Sequence, residues 1–212
     1  MKLTRVFAFM AMAGLATSAL ATNGYFSHGY GIKAKGMGGA ATASTDDAFF
    51  GANNPAAAAF AGNRLDLGVD LFSPNREASR TGLGPLDMSV ESDSNYFFVP
   101  EFGYNRMINN DLALGLTVYG NGGMNSDYPG GQIDCGGGPA NMLCGSGDLG
   151  VDLMQLIIAP TVAFKFSPNH SIGVSPLIGL QFFEAQGLHA FTNRMVTSNS
   201  SALTNNGHED SW

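Results

Sequence analysis

The sequence predicts an all-β fold, a transmembrane antiparallel β-barrel preceded by a plug-like N-terminal segment. Three observations predict it: stretches in which apolar and polar residues alternate with a period of two, connections that are alternately short and long, and an unusual composition. Only 13% of the 212 residues are charged, about half the ~25% of ordinary globular domains. Glycine supplies 29 residues, phenylalanine 15 and tyrosine 6, yet the mean hydropathy is only +0.04. Such a chain suits a wall with one apolar face and one polar face. The formal net charge is −7, and loss of Lys2 and Arg5 with a leader would take it to −9. No Lys/Arg cluster is present to hold phosphates, so nucleic acid is excluded as a partner.

The first element is a secretory leader. Lys2 and Arg5 precede the apolar stretch VFAFMAMAGLATSALA, and Ala19-Leu20-Ala21 is a small-x-small cleavage site. The stretch is too short and wrongly flanked for a spanning helix. Residues 1–21 are therefore expected to be removed on export. Thr22 to about Gly62 follows, rich in Gly and Ala and without strand alternation, with short helical turns expected at AATAST or PAAAAF. Small residues allow close backbone approach, as a plug packed on a polar wall requires. Phe26, Phe49 and Phe50 argue against a disordered linker.

From Arg64 the texture changes. Leu65, Leu67, Val69 and Leu71 alternate with Arg64, Asp66, Gly68 and Asp70, which in a strand separates an apolar from a polar face. Four further runs follow at 95–106, from Asp111, at 151–166 and at 171–185. Pro100, Pro160 and Pro176 interrupt them and mark bulges or kinks. MINN and SPNH are minimal turns, whereas Ser73–Ser94 and Gly122–Gly150 are long. Short periplasmic turns and long external loops are how outer-membrane barrels are built. Five strands leave an open edge that lipid cannot satisfy. The TNNGHEDSW end reads as loop, so residues 63–212 are taken as the first part of a barrel, incomplete at the C-terminus and ending in a third external loop.

Candidate chemistry is sparse. Cys135 and Cys144 lie in GGQIDCGGGPANMLCGSG. In an oxidising compartment they are most simply a disulfide closing a small loop, since CxxC spacing and a nearby histidine are both missing. His28, His170, His189 and His208 have no metal spacing, and no G-x-S-x-G elbow is present. The G-x-G-x-x-A pattern at 29–34 lacks the preceding strand a dinucleotide site needs. Asp46 and Asp47 are read as neighbouring acids of a surface turn, or salt-bridged to a lining Arg. Glu101 is read as lining the lumen or pairing with a Lys or Arg of the plug. No metal, cofactor or catalytic residue is expected.

The segment NGYFSHGYGIKAKGMGGAATASTDDAFFGANNPAAAAF resembles the N-terminal hatch of the FadL/TodX family, outer-membrane transporters of long-chain fatty acids and aromatic hydrocarbons. The matching pieces are NGYF at 23–26, KGMGGA at 35–40, DDA at 46–48 and NNPA at 53–56. Asn54, Pro55 and Ala56 resemble the hatch signature. The resemblance implies a 14-stranded monomeric barrel plugged by its hatch, of which about five strands are present here. It implies capture of a hydrophobic ligand by external loops and passage to a pocket near the mature N-terminus, here Thr22, Asn23, Gly24, Tyr25 and Phe26. Lateral release would occur at a kink in the third strand, where Gly120, Asn121, Gly122 and Gly123 are the candidates. The partners implied are that ligand, outer-membrane lipid and lipopolysaccharide. The expected function is uptake of hydrophobic compounds without enzymatic activity. The alternatives are a structural or adhesive barrel and an outer-membrane enzyme acting on lipid.

Overall fold

A computed structural model describes residues 26–188 and 206–211. The leader at 1–21 and the pocket candidates Thr22, Asn23, Gly24 and Tyr25 lie outside the described residues. The chain is all-β and antiparallel. Its strands are β1 (Arg64–Phe72), β2 (Glu77–Arg80), β3 (Met88–Glu91), β4 (Phe97–Met107), β5 (Leu112–Tyr128), β6 (Ile133–Asp134), β7 (Pro139–Ala140), β8 (Leu149–Ser167), β9 (His170–Val174), β10 (Ile178–Gln186) and β11 (Asn206–Ser211). The main sheet runs β1-β4-β5-β8-β10-β11, with β9 also on β8, so successive long strands are neighbours. The pairs β2–β3 and β6–β7 form two small sheets within the long connections. Among the described residues no helix is long and apolar enough to cross a membrane.

All five alternating runs become strands, with two differences. The run at 171–185 is split into β9 and β10, although both keep one register on β8, with Val162↔Val174 and Ile158↔Ile178. The break therefore places Pro176 opposite Pro160. Neither residue has an N–H, so the ladder fails there. Side chains replace it: the Ser175 hydroxyl donates to the Pro160 carbonyl at 3.0 Å and lies 3.0 Å from the Thr161 hydroxyl. Pro100, by contrast, sits inside β4 paired with Val69. The second difference corrects the reading of the C-terminal residues as loop. Asn206–Ser211 is a strand, paired with β10 from Gln181↔Ser211 to Gln186↔Asn206. Its sequence is polar throughout, so no alternation announced it; backbone pairing to the edge of β10 is enough to make it.

The two faces of the sheet differ. One is bare and apolar: Leu67 is 74%, Val69 68%, Phe98 75% and Ile172 63% exposed, and Leu114, Met154, Phe164 and Phe182 continue the surface. The other carries the N-terminal segment, residues 26–62. That segment contains a single turn of helix, α1 (Ile32–Gly36), and a 3-10 helix at Pro55–Phe60; AATAST forms only a turn. Ala48, Phe50, Ala57, Ala58 and Ala59 pack with Ala113 and Ala163 of the sheet in the core cluster. The fit depends on small residues. A Cβ on Gly103 of β4 would stand 2.6 Å from the Ala48 carbonyl oxygen, closer than packed atoms approach, so this close passage needs glycine.

Candidate functional site

Little of the N-terminal segment is regular structure, so its backbone polar groups need partners from elsewhere. Sheet side chains supply them. The Asn105 amide, fully buried, donates to the carbonyls of Ala58 at 2.9 Å and Gly62 at 2.8 Å. Thr117 accepts from the Gly51 N–H at 3.1 Å and donates to the Ala48 carbonyl at 3.3 Å. Ser171 donates to the Ala56 carbonyl at 2.8 Å. Within the segment, Asn54 caps the 3-10 helix: its Oδ1 accepts from the Ala56 N–H at 3.1 Å and its amide donates to the Thr42 carbonyl at 2.8 Å. Pro55 occupies the first helical position, where a missing N–H costs nothing. Asn54, Pro55 and Ala56 thus act locally as a helix start docked on β9.

An ionic latch holds the other end of the segment. Lys35 Nζ lies 2.8 Å from Glu101 Oε1 and 3.0 Å from Asp70 Oδ2, while Glu101 Oε2 accepts from the Gly31 N–H at 3.1 Å. Glu101 therefore pairs with the segment's own lysine. Burial works against the Lys35 ammonium, but its hydrogen bonds to Glu101 and Asp70 outweigh that and leave its pKa raised. The Lys35 and Glu101 side chains are only 13% and 4% exposed, so either charge without its partner would be costly. Asp47 is also buried rather than part of a surface turn. Its carboxylate accepts from the Phe49 N–H at 3.1 Å, its second oxygen has no partner, and burial pushes its pKa up. Asp46 engages through its backbone, its carbonyl accepting from Lys33 and its N–H donating to the Ser44 hydroxyl at 3.2 Å.

Beside the latch the sheet opens. The β4–β5 ladder runs from Met107↔Ala113 to Phe102↔Val118 and stops. Beyond that point β4 stays paired with β1 as far as Phe97, and β5 stays paired with β8 as far as Tyr128. The two strands part where Pro100 has no N–H to give and where the β5–β8 register shifts between Gly120 and Gly122. The extra residue is Asn121. Val99 leans into the gap, and a Cβ on Gly120 would stand 2.5 Å from its Cγ1. The start of the segment spans the opening. Phe26 bridges antiparallel to Gly122, and the Tyr30 hydroxyl donates to Asn121 Oδ1 at 2.9 Å, its ring 4.4 Å from that of Tyr119. The structure thus brings together Phe26, Gly120, Asn121 and Gly122, with Gly123 next in the strand. Lys35, Glu101, Asp70, Tyr30 and Val99 join them. Their sequence signal was weak: a Gly-Asn-Gly-Gly run and a strand proline hint at irregularity, but contacts this far apart in the chain leave no pattern.

The long connections also pack together. Cys135 and Cys144 are disulfide-bonded, with Cα atoms 5.7 Å apart. Buried Asn141 organises this loop, accepting from the N–H groups of Leu143 and Gly145 and donating to the Gly187 carbonyl at 2.9 Å. Asp134 accepts from the Gly136 and Gly138 N–H groups, which hold its pKa below the ordinary value. Arg80 of the β2–β3 hairpin donates to the carbonyls of Leu86 and Met142 and so joins the two connections. At the opposite end, Ser167 and His170 hydrogen-bond across the tight turn at 2.9 Å, with His170 stacked on Phe166. That pair fastens a turn. Among the described residues no group of His, Cys, Asp or Glu is arranged to hold a metal ion. Comparison with protein-family models and with curated proteins found no match to this chain.

Proposed function

We propose that the protein is an outer-membrane transporter of hydrophobic compounds, such as long-chain fatty acids or aromatic hydrocarbons. The observation that carries this reading is the pairing of a bare apolar sheet face with an opposite face covered by a small-residue segment. An apolar surface of this extent facing water would drive association; acyl chains are the partner it suits. Residues 64–186 then belong to a barrel wall with the short turns periplasmic and the long connections outside. The hatch is then the segment 22–62, whose described residues 26–62 cover the opposite face of the sheet, in line with the resemblance of that segment to the FadL/TodX hatch. The opening between β4 and β5, spanned by Phe26 and Tyr30, is the lateral exit: a ligand captured outside leaves sideways into the membrane when the start of the hatch withdraws. A hydrophobic solute that leaves through the wall never has to dissolve in a watery channel.

The test is uptake by cells. A strain lacking the full-length gene should take up labelled long-chain fatty acids or aromatic hydrocarbons more slowly, and the restored gene should recover the rate. Unchanged uptake across a broad substrate panel refutes the proposal. An adhesive barrel predicts instead that deleting Ser73–Ser94 or the cysteine loop abolishes adhesion while the hatch is dispensable. The latch and the spanned gap favour transport over adhesion, because an adhesin has no need of a held plug.

A further inference from the structure

Beyond Phe102, toward the long connections, the covered face of the sheet is apolar, formed by Phe97, Val99, Tyr119, Leu153, Ile157 and Phe183. Apart from the Lys35–Glu101–Asp70 cluster, the polar groups among them form one neutral row. Tyr30 donates to Asn121, the Asn121 amide to Gln155 Oε1 at 3.4 Å, and the Gln155 amide to Gln181 Oε1 at 2.5 Å. Among the described residues, two cations of this face and the adjoining loops are paired with carboxylates and the rest are held by neutral groups, with the buried Nε of Arg76 left without a hydrogen-bond partner. Lys35 lies between Asp70 and Glu101, and Arg64 on Asp66. Arg76 lies over the Phe97 ring and donates to the Ser94 carbonyl, and Arg80 donates to backbone carbonyls. Lys33 donates to the Asp46 carbonyl and Lys165 lies over the Phe60 ring. The loop end is acidic. Glu77, Asp87, Glu91 and Asp93 lie between Ser73 and Ser94; Asp127, Asp134, Asp148 and Asp152 lie between Asn125 and Asp152; Glu184 sits at the same end of β10. Among the described residues only Arg76 and Arg80 oppose them there.

We propose that the ligand this path passes is uncharged, a hydrocarbon or other neutral apolar compound rather than a long-chain carboxylate. The inference rests on the transport reading above and narrows it. A carboxylate approaching the loop end meets a field of its own sign, which lowers its local concentration. Along the row from Tyr30 to Gln181 it finds neutral groups bonded to one another and, among the described residues, no cation in that row, so its desolvation goes uncompensated there. A neutral apolar molecule meets neither obstacle, and the aromatic and aliphatic lining suits it.

The test is equilibrium binding of radiolabelled hexadecanol and hexadecanoate to the full mature protein in non-ionic detergent. At about pH 8 the carboxylate is ionised, and about 20 mM salt leaves surface charge weakly screened. Hexadecanol should bind about tenfold tighter, with the gap narrowing at high salt. Gln155→Arg, which sets a cation in the amide row, should narrow it further. Equal or tighter binding of hexadecanoate by the native protein overturns the inference and leaves the transport reading standing. Binding of neither overturns the inference too, and loss of all uptake differences between cells with and without the gene then overturns the reading beneath it.

Discussion

At the scale of single residues, Lys35, Glu101 and Asp70 govern how firmly the N-terminal segment sits on the sheet. Glu101→Gln removes one partner of a buried pair, so docking should weaken by about 3 kcal/mol; faster amide exchange at residues 29–36 would register it. The pH dependence follows from the raised Lys35 pKa. A raised basic group stabilises fully below its unfolded value, here 10.5, and that contribution is lost as pH rises through the higher native value. Protection of the segment that depends on the latch should therefore stay constant from neutral pH to about 10 and fall only above it. Asp47→Asn should be tolerated, because the amide oxygen can still accept from Phe49 while the buried charge disappears. Gly103→Ala forces a Cβ against the Ala48 carbonyl and should cost about 2 kcal/mol of segment docking, seen as protease cleavage between residues 26 and 62. Of these groups the sequence made only some legible. Glu101 stands out as an acid on a polar strand face, whereas its pairing with Lys35, 66 residues away, has no local signature. Burial of Asp47 was hidden for the same reason: Asp46 and Asp47 look alike in sequence, and only the packing of Phe49 and Gly31 separates them.

At the scale of elements, strand existence was readable and strand ends were not. Period-two alternation marks β1, β4, β8 and the first half of β5, where one face is apolar; the second half of β5, Gly122 to Tyr128, is glycine-rich and polar and reads as loop in the sequence. Alternation also misses β11, which is polar, and the four-residue strands β2 and β3, too short to show a period. The 4-to-5 opening arises from a proline and a bulge acting on neighbouring strands, and only Gly120–Gly123 hinted at it. Deleting Asn121 should restore continuous β5–β8 pairing while removing the Tyr30 hydrogen bond. The expected result is a folded protein whose uptake falls; uptake at the native rate would separate the bulge from the proposed exit. The disulfide acts on its own loop. Closing the nine-residue separation between Cys135 and Cys144 should contribute about 2–3 kcal/mol of local stability. Reduction should expose the segment between them to protease without loosening the main sheet. Asp134 supports the same loop. Its lowered pKa means that support is full above the ordinary value of 3.8 and is lost as pH falls through the lower native value.

At the scale of the whole molecule, one sheet separates two environments. The bare face offers leucine, valine and phenylalanine, and the covered face offers hydroxyls, amides and paired charges that hold a segment rich in Gly and Ala. Composition carried that division from the start, since low charge with near-zero mean hydropathy describes a two-faced wall. The opening between β4 and β5 did not follow from composition, because it depends on where one ladder ends. On the transport reading proposed above, withdrawal of the N-terminal segment from β5 is the step that lets a ligand out. Phe26 and Gly122 form an antiparallel bridge, and such pairs have Cα atoms about 4.5–5.5 Å apart, within disulfide range. The decisive measurement is uptake of a labelled hydrophobic compound by cells carrying the Phe26→Cys, Gly122→Cys double variant, oxidised and then reduced, beside the native protein treated identically. The account predicts that the oxidised, pinned form is blocked and that reduction restores uptake, while the native protein is unaffected by the oxidant. Equal uptake by the oxidised and reduced double variant, with the cross-link verified, would contradict it.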